Sequence, residues 1–399
     1  MHALPSPPAV AVRRPPRTPR PAPVPRCASP RVRELARTLP GGTEEFWAAV
    51  RREGTPLVET DPRGDPRYAA VTFLWRGTAD QEVHVLPNKV ADPGDLAGNL
   101  MERLPGTDVW HWTLRMRRDW RATYAFRVAG EDLPDPLNPR TLPRRWGGPE
   151  LSVVELPEAV GLAVRRDVSA RGSVTPYEVA GRRVWAYEPP GVLADGLPVA
   201  VLFDGDHWAG PMGVGALLDG LVADGRIPPT LVLLPDAVDV GTRWAELACG
   251  EAFADFLEEE LLPWAAGRWP VTADPARTVL AGQSLGGLMA AYAAVRAPHR
   301  FGNVLSQSGS FWWPGGEEGE WLSDVLALAG ASGPLPVRFR LSVGEQEWAL
   351  GAPTRRFRDV LRARGCEVTL REVNGGHDAL WWRTELGAGL VALLGSQGC

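Results

Sequence analysis

The chain lacks several features that mark particular classes of protein. No apolar run reaches the roughly 18 residues that a membrane-spanning helix needs, so we expect a soluble protein without a transmembrane span. Its 4 cysteines lie far apart without a CxxC pair, which argues against a zinc site and a dense disulfide framework and fits a reducing compartment. Lysine is almost absent, since Lys89 is the only one.

Arginine therefore carries nearly all of the positive charge, but it does not form a basic stripe. Beyond the amino-terminal tail the arginines are interleaved with Asp and Glu, and the net charge is −5, so nucleic-acid binding is not expected. A length of 399 residues exceeds one ordinary compact domain and suits two. The 17 tryptophans are unusually many, and we expect most of them to be packing residues.

Residues 1–35 consist mainly of Pro, Arg and Ala, a composition that buries too little apolar surface to fold. We predict a disordered tail. Its Arg13-Arg14 pair resembles the start of a twin-arginine export signal, yet no apolar segment of about 7 to 15 residues follows. The expected location is therefore cytoplasmic, with no membrane partner.

Residues 36–165 are predicted to form a small all-β immunoglobulin-like sandwich. A helix over 44–53 comes first, behind a Thr43 cap. Short segments rich in aromatic and β-branched residues, separated by turn chemistry, then predict antiparallel strands at 68–76, 82–87, 109–116 and 122–128. The proline-rich run 135–139 suits neither a central strand nor a helix and leads out of the domain.

Residues 166–399 are predicted to form an α/β-hydrolase domain, a mostly parallel sheet with helices on both faces. After a hairpin at 174–179 and 183–187, apolar segments alternate with amphipathic ones, which is typical of buried strands joined by crossover helices. Ligands of such sheets bind at the carboxyl ends of the strands. The predicted strands are 199–203, 231–234, 278–281, 303–307, 337–343 and 368–373, and the predicted helices are 215–223, 251–266, 288–296, 321–328, 354–363 and one after His377.

The run Gly282-Gln283-Ser284-Leu285-Gly286 lies where a strand turns into an alanine-rich helix. This is the arrangement of a nucleophile elbow, in which small residues on either side let the turn pack closely while the serine hydroxyl projects. A GxSxG motif alone is weak. Here a candidate acid and a histidine follow in the chain order nucleophile, acid, histidine that α/β-hydrolases use, so we expect Ser284 to be the nucleophile of a serine hydrolase.

A serine hydroxyl needs a base within reach, and the base needs a partner that fixes its tautomer. His377 is the candidate base, because it follows the last strand in a loop with two glycines. Glu347, shortly after the strand 337–343, is the candidate acid, and Glu345 is its near rival. Asp378 adjoins the base in sequence, which usually points its side chain away from the imidazole. A Ser-His dyad that depends little on a carboxylate stays open.

The oxyanion hole should combine the backbone N–H of Leu285 with one from the loop after the strand 199–203. Asp206 and His207 are the candidates for this second donor, and His207 is also a candidate pocket residue. An Asp-Gly pair after a strand is equally a common turn.

Both halves of the chain resemble the enterochelin (enterobactin) esterase family. In the second half the resemblance rests on FDGDHW (203–208), GQSLGG (282–287), LSQSGSFWW (305–313) and GGHDALWWR (375–383). In the first half it rests on FW (46–47), GTPLV (54–58), VTFLW (71–75), LPGTDVW (104–110) and DPLNP (135–139). The resemblance covers nearly everything after the tail and implies an amino-terminal enterochelin-esterase module before an esterase-D-like α/β-hydrolase domain.

This resemblance implies hydrolysis of a cyclic trilactone of catecholoyl-serine, usually as its ferric complex, so that the iron can be released. A ferric triscatecholate is an aromatic trianion, which tryptophans can stack on and arginines can neutralise. No metal ligand or cofactor of the enzyme is implied, because the iron arrives with the substrate. The candidate substrate-binding residues are Trp208, Arg243, Trp312 and Trp313, and packing is an equal alternative for each.

One departure from the family concerns the substrate. Ala245 stands just before Glu246, where the family tends to carry a second arginine, so the particular siderophore is open. A feruloyl-type esterase acting on carbohydrate-linked esters is one alternative, and a catalytically silent siderophore-binding protein is another. We also expect the amino-terminal module to supply pocket walls, because Trp110 and Trp112 alternate onto one face of a strand.

Overall fold

The computed structural model describes residues 4–8, 16, 18, 22, 24–39, 41–92, 94–159, 161–165, 167–191, 194–328 and 335–395. The chain divides into two compact units. The amino-terminal unit comprises Pro19–Gly161 together with Asn374–Trp381, and the carboxy-terminal unit comprises Met1–Thr18, Leu162–Val373 and Trp382–Cys399. The inclusion of Asn374–Trp381 in the amino-terminal unit was not predicted.

The amino-terminal unit contains two antiparallel sheets. Their strand orders are β1-β2-β5-β4 and β3-β6-β9-β8, and β7 pairs with β6. A shared core holds the sheets together, with Phe73 of one sheet and Tyr124 of the other at 4.8 Å between ring centroids. The strands are β1 (Leu57–Thr60), β2 (Tyr68–Arg76), β3 (Val83–Pro87), β4 (Glu102–Arg103), β5 (Val109–Arg117), β6 (Arg121–Val128), β7 (Glu131–Leu133), β8 (Thr141–Leu142) and β9 (Leu151–Glu155).

The four strands predicted for this unit are confirmed as β2, β3, β5 and β6, with ends that differ by at most one residue. Trp110 and Trp112 do share a face, but both are buried in this unit's own core. The structure thus gives both a packing role, and the pocket-wall role of the module stays a prediction.

The helices α1 (Pro30–Thr38) and α2 (Thr43–Glu53) precede the sheets in the described part of the chain. The disordered tail was predicted to reach residue 35, and for residues 30–35 this is wrong. Ser29 accepts a hydrogen bond from Val32 N, Pro30 suits the first turn, and Val32 and Leu35 are buried in one cluster with Trp47. Much of the predicted tail before residue 24 lies outside the described residues. In α2 the cap position is Gly42, and Thr43 is the first helical residue.

The carboxy-terminal unit is built on one eight-stranded sheet of order β10-β11-β13-β12-β14-β15-β16-β17. The hairpin β10-β11 is antiparallel and joins β13 antiparallel, whereas every pairing from β13 through β17 is parallel. The strands are β10 (Ser173–Val179), β11 (Arg182–Glu188), β12 (Val199–Leu202), β13 (Leu231–Pro235), β14 (Thr278–Gln283), β15 (Asn303–Gln307), β16 (Arg338–Gly344) and β17 (Val368–Val373). The predicted mostly parallel sheet is confirmed.

The crossover segments are helical and bury apolar residues against this sheet. The helices are α3 (Gly205–Ala209), α4 (Val214–Ala223), α5 (Val240–Leu247), α6 (Glu251–Asp255), α7 (Leu262–Ala266), α8 (Leu285–Arg296), α9 (Trp321–Leu328), α10 (Trp348–Ala363) and α11 (Ala379–Leu394). Single 3₁₀ turns lie at Pro275–Arg277 and Gly316–Glu318 in this unit, and at Ala97–Asn99 in the amino-terminal unit. In the described part of the chain, no helix combines the length and the apolar character that crossing a bilayer requires.

Two predicted helices differ from the observed ones at a proline. The helix predicted over 251–266 is interrupted by a π-helical segment, Phe256–Leu261, because Pro263 has no N–H to continue the regular ladder. The helix predicted from 354 begins six residues earlier at Trp348, so that Pro353 lies inside α10.

Candidate active site

Ser284 lies between β14 and α8 with φ 59° and ψ −121°, a conformation that L-residues rarely adopt. Its N–H donates to Gln307 O at 3.0 Å, and its carbonyl accepts from Ser310 N at 3.0 Å. The side chain is half-buried, with its Oγ 3.5 Å from Ser310 Oγ. The elbow geometry predicted from the sequence is therefore present, and Ser284 caps a twelve-residue helix.

The glycines around Ser284 differ in how much space they have. A Cβ on Gly282 would lie 2.5 Å from the backbone of Gly286, and one on Gly287 would lie 2.5 Å from Ser306 Oγ. A Cβ on Gly286 would be 3.5 Å from its nearest neighbour in Phe203, which is ordinary contact. Close backbone approach therefore requires glycine at 282, whereas Gly286 has room for a methyl group.

Glu347 directly precedes α10 and is only 1% exposed. Its Oε2 accepts hydrogen bonds from Gly344 N at 2.6 Å and from Ser308 Oγ at 2.7 Å. Glu345, the rival acid, is exposed. Ser284, Ser308 and Glu347 follow β14, β15 and β16, which are neighbours in the sheet. The buried and anchored carboxylate is thus Glu347.

His377 lies in the segment Asn374–Trp381, whose contacts place it in the amino-terminal unit. Asn88 Nδ2 donates to the His377 carbonyl oxygen at 2.9 Å. A Cβ on Gly376 would lie 2.5 Å from Asn88 Oδ1, so this glycine is required by close approach. The half-buried His377 side chain is therefore carried by a segment whose backbone is fixed.

Asp378, next to the histidine, is 3% exposed and already bound by other groups. Its Oδ2 accepts from Thr123 N at 2.5 Å and Thr123 Oγ1 at 2.8 Å, and its Oδ1 accepts from Leu380 N at 3.0 Å. Burial raises the pKa of Asp378, and these hydrogen bonds oppose the rise. Its carboxylate therefore anchors the segment and the start of α11.

The two candidates for the second oxyanion donor lie in the short helix α3. His207 N donates to Asp204 O at 3.0 Å, so that amide is engaged within the turn. The His207 side chain is buried, at 8% exposed. Leu285 is the first residue of α8, where a backbone N–H has no partner within its own helix. The choice of Asp206 or His207 as the second donor stays a prediction.

Arg243 in α5 pairs with Asp204 rather than projecting freely. Its Nε and Nη2 donate to the two carboxylate oxygens at 2.7 and 2.8 Å. The two side chains are 13% and 3% exposed. Although burial alone would lower the pKa of Arg243, the Asp204 carboxylate offsets this and raises the pKa above the ordinary value.

The three tryptophans proposed as substrate contacts are buried. Trp208, Trp312 and Trp313 are 0%, 2% and 3% exposed. Trp208 Nε1 donates to Gln283 Oε1 at 2.9 Å, and the other two belong to the main core of the carboxy-terminal unit. The structure thus gives each a packing role, and contact with a substrate stays a prediction.

A chain of side-chain hydrogen bonds behind the elbow was missed by the sequence analysis. Gln283 Nε2 donates to Gln307 Oε1 at 2.8 Å, and Gln307 Nε2 donates to Trp382 O at 2.9 Å. Trp382 Nε1 then donates to Ser308 Oγ at 2.9 Å, and Ser308 binds Glu347. Polar residues at the buried ends of β14 and β15 were the available signal, because buried polar groups require partners.

Two family profiles match the chain. The profile described as "Putative esterase" matches residues 181–393, and the one described as "Enterochelin esterase, N-terminal" matches residues 70–134. The first covers Ser284, Glu347 and His377, and the second lies within the amino-terminal unit.

Similar proteins cover nearly the whole chain. The iron(III) enterobactin esterase of Dickeya dadantii is 34% identical over 91% of this chain and 95% of its own length. The crystal structure of the ferric enterobactin esterase of Salmonella typhimurium is 30% identical, with a TM-score of 0.77 over 88% of this chain and 98% of that one. The enterobactin esterase of Shigella flexneri, crystallised in the presence of enterobactin, is 31% identical, with a TM-score of 0.74 over 89% and 99%.

Proposed function

The chain belongs to the enterochelin (enterobactin) esterase family, and we propose that it hydrolyses the ester bonds of a catecholate trilactone siderophore of the ferric enterobactin type. It is a carboxylic-ester hydrolase of the esterase α/β fold. The observation that carries the proposal is Ser284 at a strained strand-to-helix turn, in a chain similar along its length to iron(III) enterobactin esterases. Ring opening would weaken chelation and release the iron.

The proposed chemistry is acyl transfer through a covalent intermediate. Ser284 Oγ attacks the ester carbonyl carbon while His377 takes its proton. Collapse of the tetrahedral intermediate breaks the ester C–O bond, and His377 returns the proton to the departing serine hydroxyl of the substrate. Water, deprotonated by the same imidazole, then hydrolyses the acyl-enzyme and frees Ser284.

Two further groups are assigned to this mechanism. Glu347 is the proposed acid that orients His377, supported by its burial and its two anchoring hydrogen bonds. Leu285 N–H and a second N–H from Asp206 or His207 are the proposed oxyanion donors, because dipoles fixed in advance stabilise the charge that develops on the carbonyl oxygen.

The substrate side of the proposal follows from the chemistry of the trilactone. The candidate substrate contacts are Trp208, Arg243, Trp312 and Trp313. The three tryptophans are buried and Arg243 is paired with Asp204, so contact with the substrate is a proposal for each. The enzyme needs no cofactor in this scheme, since the iron is part of the substrate. The cytoplasmic location stays a prediction. For the amino-terminal module we propose an immunoglobulin-like sandwich, supported by its two antiparallel sheets around one core.

The test is chromatographic. The purified chain and a Ser284→Ala variant are incubated with ferric and iron-free enterobactin-type trilactone, and linear trimer, dimer and monomer are followed over time. We expect ring-opened fragments from the wild type alone. Tight binding without cleavage would favour the silent siderophore-binding protein, and absence of both would direct the search to feruloyl-type esters.

A further inference from the structure

The Arg243 guanidinium joins three chain segments inside the carboxy-terminal unit. It is carried by α5 and forms a two-bond fork with Asp204, which directly follows the strand β12 and Phe203. Its Nη2 also donates to Gln283 O at 3.4 Å. Gln283 is the residue before Ser284, and Asp204 is the residue before α3, which holds both candidates for the second oxyanion donor.

The segments that Arg243 joins have unusual backbone. Asp204 has φ 64° and ψ 46°, a left-handed conformation that few residues other than Gly, Asn and Asp adopt. Gly205 is packed so closely that a Cβ would lie 2.1 Å from Leu234 O. Ser284 is itself at positive φ. Such conformations persist only where surrounding contacts hold them. The Arg243 fork is such a contact for Asp204, and the separate bond from Nη2 to Gln283 O is one for the residue before Ser284.

We propose that Arg243 is a positioning residue, which holds the α3 turn and the nucleophile elbow in fixed relation to each other. The inference rests on the proposed esterase function. Oxyanion stabilisation depends on donors placed to within about 0.5 Å, so a small shift of either segment lowers the rate of the chemical step. Loss of the fork should therefore reduce kcat and leave KM nearly unchanged.

This role differs from a direct contact with the anionic substrate. Asp204 neutralises the guanidinium at close range and takes two of its N–H donors in the geometry in which arginine binds carboxylates best. A neutral, buried pair exerts little net attraction on a trianion. A positioning role therefore predicts a lower kcat on every ester, whereas a direct contact predicts a higher KM for the anionic ferric trilactone alone.

The experiment compares Arg243→Met and Arg243→Lys with wild type on two substrates, the ferric trilactone and the small neutral ester p-nitrophenyl acetate. We expect kcat to fall by about tenfold or more on both substrates in both variants, because lysine keeps the charge but cannot form the fork. A rise in KM confined to the ferric trilactone, largely restored by lysine, would overturn the inference in favour of substrate contact.

The control is another buried arginine fork. Arg115 binds Asp61 at 2.9 and 3.0 Å in the amino-terminal unit, with side chains 16% and 1% exposed. Arg115→Met should lower the melting temperature as Arg243→Met does while leaving kcat within about twofold. An equal loss of kcat in both variants would contradict a specific role for Arg243.

A third readout separates this inference from the proposed function. The rate at which a neutral fluorophosphonate labels Ser284 reports the nucleophile and oxyanion donors without any siderophore. Slower labelling of both Arg243 variants supports the inference even if the trilactone is not cleaved. Labelling at the wild-type rate, or no labelling of the wild type, contradicts it.

Discussion

Glu345 and Glu347 stand two positions apart in the sequence, and the fold treats them differently. One is exposed, and the other is buried with two hydrogen bonds to one carboxylate oxygen. The sequence could place an acid just after β16, because hydrolases carry it there, but spacing alone could not choose between the two. The choice depends on the turn at Gly344, whose N–H points to Glu347.

We expect Glu347→Gln to lower kcat/KM by about 10²-fold or more, because the amide cannot stabilise an imidazolium as the carboxylate does. Glu345→Gln is the matched control and should stay within about twofold. Steady-state kinetics on the trilactone measure kcat/KM for both variants. A Glu347→Gln enzyme with near wild-type activity would favour the Ser-His dyad.

The glycines of the elbow allow a second comparison at this scale. Gly282→Ala would place a methyl group 2.5 Å from the Gly286 backbone, whereas Gly286→Ala would place one 3.5 Å from Phe203. We expect Gly282→Ala to reduce the free energy of unfolding by roughly 2 kcal/mol or more and Gly286→Ala by less than about 1 kcal/mol. Denaturant unfolding measures both, and equal costs would contradict the described packing.

At the scale of secondary structure, the ends of neighbouring strands supply most of the site. Parallel order places the residues after β14, β15 and β16 along one edge of the sheet, which is why the positions of Ser284 and Glu347 at strand ends could be predicted from apolar periodicity and motif order. Ser308 at the end of β15 could not be predicted. The motif at 305–313 includes Ser308 but does not indicate its role, which depends on a φ of 50° and on partners distant in sequence.

Ser308→Ala tests this strand end. The change removes the donor to Glu347 Oε2 and the acceptor for Trp382 Nε1, so we expect kcat to fall about tenfold with KM nearly unchanged. Ser306→Ala is the matched control on the same strand, since its buried hydroxyl has no hydrogen-bond partner among the described residues. If both variants lose the same activity, Ser308 does not act through Glu347.

At the scale of the whole molecule, the sequence predicted the mostly parallel sheet of the carboxy-terminal half. It could not predict that Asn374–Trp381 would pack with the amino-terminal unit, because those contacts involve Asn88, Asp119 and Thr123, some 250 or more residues away. The family motif around His377 marks the segment but says nothing of its partners. The amino-terminal unit therefore contributes the anchors of the segment that carries the proposed base.

Thr123→Val tests this contribution. The variant removes the 2.8 Å hydrogen bond from the Thr123 hydroxyl to Asp378, and we expect kcat on the trilactone to fall by several-fold, about 3- to 30-fold. Thr113→Val is the matched control, because it removes a buried Thr72–Thr113 hydroxyl pair in the same unit. We expect Thr123→Val and Thr113→Val to have similar melting temperatures but different kcat values. Unchanged kcat in Thr123→Val would show that this anchor does not affect His377.

The central claim, that Ser284 attacks an ester of a catecholate trilactone, is tested most directly by trapping the intermediate. The enzyme is mixed with iron-free trilactone, quenched in acid within milliseconds to seconds, and measured by intact mass and peptide mapping. The account predicts an added mass equal to the ring-opened trilactone or a fragment of it, on the peptide that contains Ser284, and none in Ser284→Ala. Turnover of the trilactone by Ser284→Ala, or an adduct mapped to another residue, would contradict it.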